Sequence, residues 1–217
     1  LTLIDRPVVT ITGSTSICLG STTSLSPTTG GTWVSNNPTI ASVNNSGIVT
    51  SLLAGNATFT FTDNITGCAS NATAVVTVNP LPESAPCLDF PLGGRAPCFG
   101  AAEICDGEDI ILKGKGFGVA PLSFMWDNGV GAGADHTITL SSDGLPTKTY
   151  TFVLTVTDGN GCTDTEFVTV YVHSKPVVNI TGSDKICIGN TTTLSPTTGG
   201  TWTSNNPAVA TISNSGL

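Results

Sequence analysis

Short runs of alternating apolar and polar residues cover most of the 217-residue chain. In the first third of the chain, Val, Ile, Leu and Phe alternate with Thr and Ser, which gives each predicted strand one apolar face. Clusters of Gly, Pro, Asn and Ser separate the runs and favour turns. The predicted strands are 8–11, 22–26, 31–35, 40–44, 48–52, 57–62 and 72–78. Seven strands at this spacing are typical of a β-sandwich.

The chain repeats itself at an offset of 169 residues. Residues 8–48 align without gaps to residues 177–217, with 28 identities and 13 differences over 41 positions. A fixed offset of this kind indicates an array of repeated domains. Five further strands are predicted between the two copies, at 109–113, 122–126, 136–140, 150–157 and 165–172. The sequence therefore predicts two alternating sandwiches.

Each of the two predicted sandwiches resembles a known family of β-sandwich domains. Gly31–Pro38, Ile40–Val43, Ser46–Thr50 and Ala54–Phe59 resemble bacterial Ig-like domains of group 2. The run Tyr150–Asp164 is similar to the end of a PKD-type domain, another Ig-like sandwich. Of the PKD stretch Trp-Asp-Phe-Gly-Asp-Gly, this chain keeps Trp126 and Asp127 and departs at Asn128 and Val130.

The resemblances predict an all-β fold of tandem immunoglobulin-like β-sandwich domains in a linear array. Residues 1–6 are expected to be the last strand of a preceding domain, and residues 7–79 a bacterial Ig-like domain. Residues 80–173 are expected to form a PKD-type domain with an N-terminal Cys-containing loop. Residues 174–217 would be the first part of a second, truncated Ig-like domain.

The alternating array also resembles the SprB-like gliding-motility surface adhesins of Bacteroidota. That resemblance implies a non-catalytic stalk and adhesive surface in gliding motility or attachment, exported by type IX secretion. Its location would be the cell surface, associated with the outer membrane of a Gram-negative bacterium. Expected partners are neighbouring repeats, surface polysaccharide or other cell-surface proteins. The alternative is an accessory spacer or carbohydrate-binding module of a large secreted hydrolase.

Charge and hydropathy narrow the class of partner. Only 10% of the residues are charged, and the net charge is −8 with a pI near 4.3. Nucleic-acid binding requires clustered Lys and Arg, and only seven are scattered here. No apolar run reaches the roughly 20 residues of a membrane span. We expect neither nucleic-acid binding nor a membrane span in this segment.

The seven cysteines suggest disulfides of a secreted protein. Because one pair flanks the strands of each sandwich, we predict the bridges Cys18–Cys68 and Cys105–Cys162. Cys87 and Cys98 would pin the loop between them, and Cys187 is the copy of Cys18 at the 169-residue offset. A zinc site from Cys87, Cys98 and Cys105 is the weaker alternative, because the spacing lacks a Cys-x2-Cys pair.

The sequence offers no catalytic motif, so we expect no enzyme activity. His136 lies in a strand pattern and His173 at a domain junction, where ordinary structural roles suffice. If Cys105 bonded Cys162, Asp106, Glu108, Asp109, Asp158 and Asp164 would approach one another and form a weak calcium site. Asp158–Gly161 equally suits a plain hairpin turn. No other cofactor is expected.

The three tryptophans fit a sandwich core. Trp33 and Trp202 are equivalent at the 169-residue offset, and Trp126 follows Ser-Phe-Met in the second sandwich. A buried tryptophan is usual in such domains. An exposed aromatic platform for sugars is the alternative for the same residues.

Overall fold

A computed structural model describes residues 3–91, 95–98, 100–181 and 183–217. Within these ranges every regular element is a strand, and the described residues contain no helix long and apolar enough to cross a membrane. The first nine strands are β1 (Thr10–Ile11), β2 (Ser16–Cys18), β3 (Thr22–Ser26), β4 (Gly31–Ser35), β5 (Ala41–Val43), β6 (Ile48–Ser51), β7 (Gly55–Ala57), β8 (Phe59–Asp63) and β9 (Val76–Asn79).

The remaining strands follow the same alternating pattern. They are β10 (Glu83–Asp89), β11 (Arg95–Cys98), β12 (Ala101–Cys105), β13 (Asp109–Phe117), β14 (Ser123–Trp126), β15 (Gly131–Ala132), β16 (Asp135–Thr139), β17 (Thr147–Thr157), β18 (Thr163–His173), β19 (Asn179–Ile180) and β20 (Leu194–Ser195).

Strands β1 to β9 form the first sandwich. One layer has the order β1-β3-β6-β5, and the facing layer consists of β2-β9-β7 and β4-β8. Alternation places one side chain of every two between the layers, where burial of apolar surface supplies the main stabilisation. The buried core consists of Ile17, Leu25, Trp33, Ala41, Val49, Ala57, Phe59, Phe61, Val76 and Val78.

Strands β10 to β18 form the second sandwich. One sheet has the order β11-β10-β13-β16 and the other β12-β18-β17-β14-β15. Strand β13 runs antiparallel to both β10 and β16 and is central to its sheet. The buried side chains of this core include Ile110, Leu112, Trp126, Phe152, Leu154, Val156, Val168 and Val170.

The last segment of the chain repeats the local geometry of the first sandwich. Asn179 pairs with Ser195 as Thr10 pairs with Ser26, 169 residues earlier. Gly216 has a φ of 77°, and a Cβ there would lie 2.4 Å from the carbonyl oxygen of Leu194. Its equivalent Gly47 has a φ of 74° and meets Leu25 in the same way. Only glycine suits this position, because both the dihedral and the close approach exclude a side chain.

By its contacts the chain divides into two compact units. The first comprises Leu1–Ala102, Asp109–Thr139 and Thr149–Val170, and therefore contains the first sandwich together with most of the second. The second comprises Glu103–Glu108, Leu140–Lys148 and Tyr171–Leu217.

Candidate functional site

A disulfide between Cys18 and Cys162 joins the first sandwich to the second. The two Cα atoms lie 5.5 Å apart, and the bond spans 144 positions of the sequence. Cys18 ends β2, which pairs in parallel with β9 so that Cys18 lies opposite Asn79. Asn79 is the last residue of β9, and the linker to the second sandwich begins at Pro80. Cys18 therefore lies at the end of the first sandwich from which the linker starts.

The second sandwich presents Cys162 on the turn between β17 and β18. The buried carboxylate of Asp158 closes this turn, because its Oδ1 accepts hydrogen bonds of 2.9 Å from the N–H groups of Asn160 and Cys162. A Cβ at Gly159 would lie 2.4 Å from the carbonyl oxygen of Ala120. The turn is therefore fixed both internally and against the neighbouring loop.

The linker beside this disulfide is packed into the second sandwich. Pro82 is buried, and its Cβ lies 3.0 Å from the position of a Cβ at Gly118, which is in turn 3.3 Å from Cβ of Asp158. In the first sandwich, the N–H of Leu19 donates to the carbonyl of Asn79 at 2.9 Å. Both ends of the segment 80–82 are thus held, and the disulfide closes the junction beside them.

Ser84 and Asp164 add a polar contact next to the same linker. Oδ2 of Asp164 accepts hydrogen bonds of 2.8 Å from both the N–H and the hydroxyl of Ser84, which is 1% exposed. Burial alone would raise the pKa of Asp164, but the hydrogen bonds from Ser84 and from the N–H of Thr165 outweigh it and hold that pKa below its ordinary value.

We therefore expect Asp164→Ala to destabilise the protein by about 2 kcal/mol at pH 7, the size of hydrogen bonds to a charged group. A depressed folded-state pKa contributes stability that is fully present above the unfolded value of about 3.9 and is lost as the pH falls through the folded value. Urea unfolding at pH 7 and at pH 2 to 4 measures this: the difference between the variant and the parent should shrink as the pH falls.

Asp135→Ala is the matched control, because it removes an exposed carboxylate that pairs with Lys113 at 2.9 Å. Exposed ion pairs contribute about 0–1 kcal/mol. Equal losses in the two variants at pH 7, or a constant loss at every pH for Asp164→Ala, would contradict the role given to Asp164.

The predicted pairs Cys18–Cys68 and Cys105–Cys162 are wrong. Cys68 and Cys105 carry free thiols, as does Cys187. The prediction assumed that each bridge closes within one sandwich, whereas β2 and the β17–β18 turn bring their cysteines together across the linker. The alternation of apolar residues reports which face of a strand is buried, and it carries no information on which ends of two domains meet.

The pair Cys87–Cys98 is present as predicted. Both residues lie at one register position of the antiparallel strands β10 and β11, with their Cα atoms 4.0 Å apart. The alternative zinc site with Cys105 is excluded in this state, because the thiolates it requires are joined as a disulfide.

The predicted five-carboxylate calcium site is not formed. Asp109 begins β13, and Asp158 lies beside Gly118 just past the other end of that strand. The first and last of the nine residues of β13 are eight steps apart, and at about 3.3 Å per step the two ends are separated by about 26 Å. The prediction depended on the Cys105–Cys162 bridge, which does not exist.

Each acidic group instead serves its own loop. Oδ1 of Asp106 accepts hydrogen bonds from the Ser141 hydroxyl and the Ser142 N–H. Glu108 accepts one from the N–H of Cys105 at 3.0 Å. In the part of the chain that the structure describes, no three His, Cys, Asp or Glu side chains are grouped closely enough to hold a metal ion.

Two of the three tryptophans are core residues. Trp33 is 5% and Trp126 2% exposed, so neither can serve as a platform for sugars. The indole N–H of Trp33 donates to the Pro27 carbonyl at 2.8 Å, and that of its equivalent Trp202 donates to the Pro196 carbonyl at 3.0 Å. Trp202 is only half-buried.

Trp202 lines an open cavity of about 830 Å³ in the last segment, together with Ile186, Leu194 and Ala210. The equivalents of these four residues in the first sandwich are Ile17, Leu25, Trp33 and Ala41, all buried in its core. There they pack with β8 and β9, whose counterparts lie outside residues 177–217. The cavity is therefore lined by the equivalents of residues that form the core of the first sandwich.

The two histidines lie in strands of the second sandwich. His136 lies in β16 opposite Leu112 of β13. Nδ1 of His173, at the end of β18, lies 2.9 Å from the Thr147 hydroxyl.

Sequence reasoning missed the residues that hold the junction, chiefly Ser84, Asp164 and Gly159. Asp164 was assigned to calcium, and Ser84 follows a proline-rich stretch without an alternating pattern. One signal was present: the segment 79–82, Asn-Pro-Leu-Pro, marks a stiff linker beside which a cross-link could form.

Comparisons with known proteins agree with this architecture. Residues 4–78 match the family model described as bacterial Ig-like domain (group 2). No curated protein matches the chain.

Several solved structures match the chain at low identity and low TM-score. A C-terminal fragment of intimin, in complex with the intimin-binding domain of the translocated intimin receptor, is 12% identical with a TM-score of 0.40, covering 81% of this chain and 67% of that one. Domains 1–6 of surface layer protein SbsC are 15% identical with a TM-score of 0.34, covering 89% of this chain and 31% of that one. Fibronectin(III)-like modules of Clostridium thermocellum CbhA are 12% identical with a TM-score of 0.34, covering 77% of this chain and 95% of that one. The chain spans about a third of the SbsC structure.

From its sheets and from the family match over residues 4–78, the fold of this chain is a tandem of Ig-like β-sandwich domains. At these identities and TM-scores the solved structures transfer no ligand, partner or activity.

Proposed function

We propose that this chain is a non-catalytic repeat segment of a long secreted adhesin or filament, which serves as stalk and adhesive surface in gliding motility or attachment. The bacterial Ig-like match over residues 4–78 and the return of the same sequence at residues 177–217 support an array of such domains. Neighbouring repeats of the same chain are its first partners. The role needs no cofactor.

The Cys18–Cys162 disulfide carries the proposal. A filament that holds a cell to a surface transmits tension along its backbone. Tension that enters the chain before Cys18 passes through the disulfide to Cys162 and leaves without loading residues 19–161. The strands from β3 to β17, which make up most of both sandwiches, lie between these cysteines and are shielded from the load, whereas β1 and β18 lie outside the closed loop.

The same bonds support an extracellular location. Disulfides form and persist in oxidising compartments such as the cell surface and the periplasm, and they are rare in the cytosol. We infer that the chain is exported, by the type IX route, and displayed on the outer membrane of a Gram-negative cell. Its weakly charged surface, rich in Ser, Thr and Asn, suits contact with surface polysaccharide or other cell-surface proteins.

Antibodies raised against this chain test the location and the role together. We expect them to label intact cells of the source bacterium, and we expect an in-frame deletion of this segment to reduce attachment or gliding. Labelling only after permeabilisation would overturn the proposal. Normal attachment and gliding with a loss of polysaccharide hydrolysis would favour the accessory module of a secreted hydrolase.

A further inference from the structure

Two free thiols lie close in sequence to residues that contact equivalent positions of the repeat. Cys68 is half-buried in the loop that follows β8, and Cys105 is exposed at the end of β12. Arg6 and Lys175 are separated by 169 positions and therefore occupy the same place, one residue before Pro7 and Pro176 respectively. This place is the entry of the chain into an Ig-like domain.

Cys105 belongs to the loop that contacts this entry from the preceding domain. The N–H of the next residue, Asp106, donates to the carbonyl of His173 at 2.8 Å. A Cβ at Gly107 would lie 3.8 Å from Nζ of Lys175. Cys105 thus directly precedes two residues that contact the segment 173–175, where the second sandwich ends and the next Ig-like segment begins.

Cys68 belongs to the loop that contacts the same entry from inside the Ig-like domain. Nη1 of Arg6 donates to Oδ1 of Asn71 at 3.0 Å. Asn71 is three residues after Cys68, which limits the distance between their Cα atoms to about 11 Å. The loop is fixed, because the N–H of Asp63 donates to the carbonyl of Cys68 at 3.1 Å and Thr62 pairs with Ala69.

We propose that Cys105 forms a disulfide with the Cys68 equivalent of the Ig-like domain that follows it in the array. Its position would be 237, the sum of 68 and 169. Every junction between domains would then carry one disulfide. A bond of the Cys18–Cys162 type would join each Ig-like domain to the second sandwich that follows it. The new bond would join each second sandwich to the Ig-like domain that follows it. This inference rests on the proposed function, since residue 237 exists only if the repeat continues.

The bond forms by thiol–disulfide exchange. The thiolate of one cysteine attacks a disulfide donor, such as a disulfide oxidoreductase or glutathione disulfide, and gives a mixed disulfide. The second thiolate then displaces the donor sulfur. The two protein thiols together lose two protons and two electrons, and the donor disulfide is reduced to two thiols. Ordinary bridges need Cα atoms about 4.4–6.8 Å apart, so the bond would fix the linker 174–176 closely.

An extended chain tests the proposal. Appending residues 49–79 directly after Leu217 continues the alignment without a gap, since Leu217 is the equivalent of Ile48, and places a second copy of Cys68 at position 237. The parent chain has free thiols at Cys68, Cys105 and Cys187, and the extension adds one more. After oxidation with glutathione disulfide, we expect two free thiols per extended chain and a cross-linked peptide joining Cys105 to the appended cysteine.

A Cys105→Ser version of the extended chain is the matched control and should retain three free thiols. Four free thiols in the extended chain, or a Cys105 bridge that only links separate chains on non-reducing gels, would overturn the cross-link. Limited proteolysis separates this failure from that of the array. If the appended segment is protected from the protease but its thiol stays free, the proposed array is supported and the second disulfide is contradicted. An appended segment that is cleaved as fast as an unfolded peptide contradicts both the array and the cross-link.

Discussion

Replacing Cys18 and Cys162 together by serine is expected to lengthen the chain at full mechanical extension by roughly 500 Å. In the native protein, the disulfide removes residues 19–161 from the path of the load, and its two ends are 144 positions apart. A stretched chain spans about 3.6 Å per residue, so the release of this loop adds roughly 500 Å of contour. Single-molecule force extension, with the chain held by its two ends, measures the difference directly.

The same substitution has an equilibrium effect. The chain-entropy model assigns a cross-link that closes a loop of 144 residues about 5 kcal/mol of stabilisation, because the bond restricts the unfolded state. Denaturant unfolding should therefore occur at lower urea concentration in the double variant. This loss is a large part of the free energy of unfolding of a typical domain, which is about 5–15 kcal/mol.

The Cys87–Cys98 bridge supplies the matched control. It closes a loop of only 11 positions and lies inside the segment that the longer bridge shields. Cys87→Ser with Cys98→Ser should leave the extension of the otherwise native chain unchanged. Combined with the loss of Cys18 and Cys162, it should add about 40 Å, from 11 residues at 3.6 Å each. A Cys18/Cys162 variant that extends no further than the parent would show that the bridge does not carry the load.

The first sandwich could be predicted from the sequence to a large extent. Predicted strands 22–26 and 31–35 coincide with β3 and β4, because each has strict alternation bounded by turn residues. The hairpin turn at Asp158–Gly161 also forms as predicted. In these places local pattern and tertiary environment agree, so the local signal is sufficient.

Strands without a pattern of their own were missed. β2 is three residues long, Ser16–Cys18, and is defined by its pairing with β9, about sixty residues later. β10 contains Pro86 and has five consecutive buried residues, so it lacks the alternation of a half-buried strand. Both depend on contacts distant in sequence, and both carry a disulfide cysteine. The error in the pairing of Cys18, which ends β2, therefore follows from the same cause as the missed strand, whereas Cys87 of β10 is paired as predicted.

The calcium prediction shows how one wrong pairing propagates. Asp106 and Asp158 were brought together only by the assumed Cys105–Cys162 bond. With Cys162 bound to Cys18, the carboxylate of Asp158 closes its own turn, and Asp106 accepts hydrogen bonds from Ser141 and Ser142. Acidic residues in turns are satisfied by nearby N–H and O–H groups as readily as by a cation, and sequence alone does not distinguish the two.

Trp33→Ala is expected to destabilise the first sandwich by about 3–5 kcal/mol, the range for removing a buried tryptophan. The ring of Trp33 lies 5.1 Å from that of Phe61 between centroids, tilted by 58°, and both side chains are buried in the core. The substitution also removes the donor to the Pro27 carbonyl. Urea unfolding followed by circular dichroism gives the loss, and amide hydrogen exchange should show it concentrated in β4 and β8.

The repeat provides a matched variant at the same sequence position. Trp202→Ala removes the same side chain and the same hydrogen bond, here to Pro196, but residues 177–217 contain no equivalent of Phe61. Because Trp202 lines the open cavity and is only half-buried, its loss should cost about 1 kcal/mol or less, as for residues outside a packed core. Equal losses of unfolding free energy at the two positions would mean that contacts with β8 and β9, which have no equivalents in residues 177–217, do not set the contribution of this tryptophan. Appending residues 49–79 after Leu217 supplies equivalents of β8 and β9, so in that extended chain the cost of Trp202→Ala should rise toward that of Trp33→Ala.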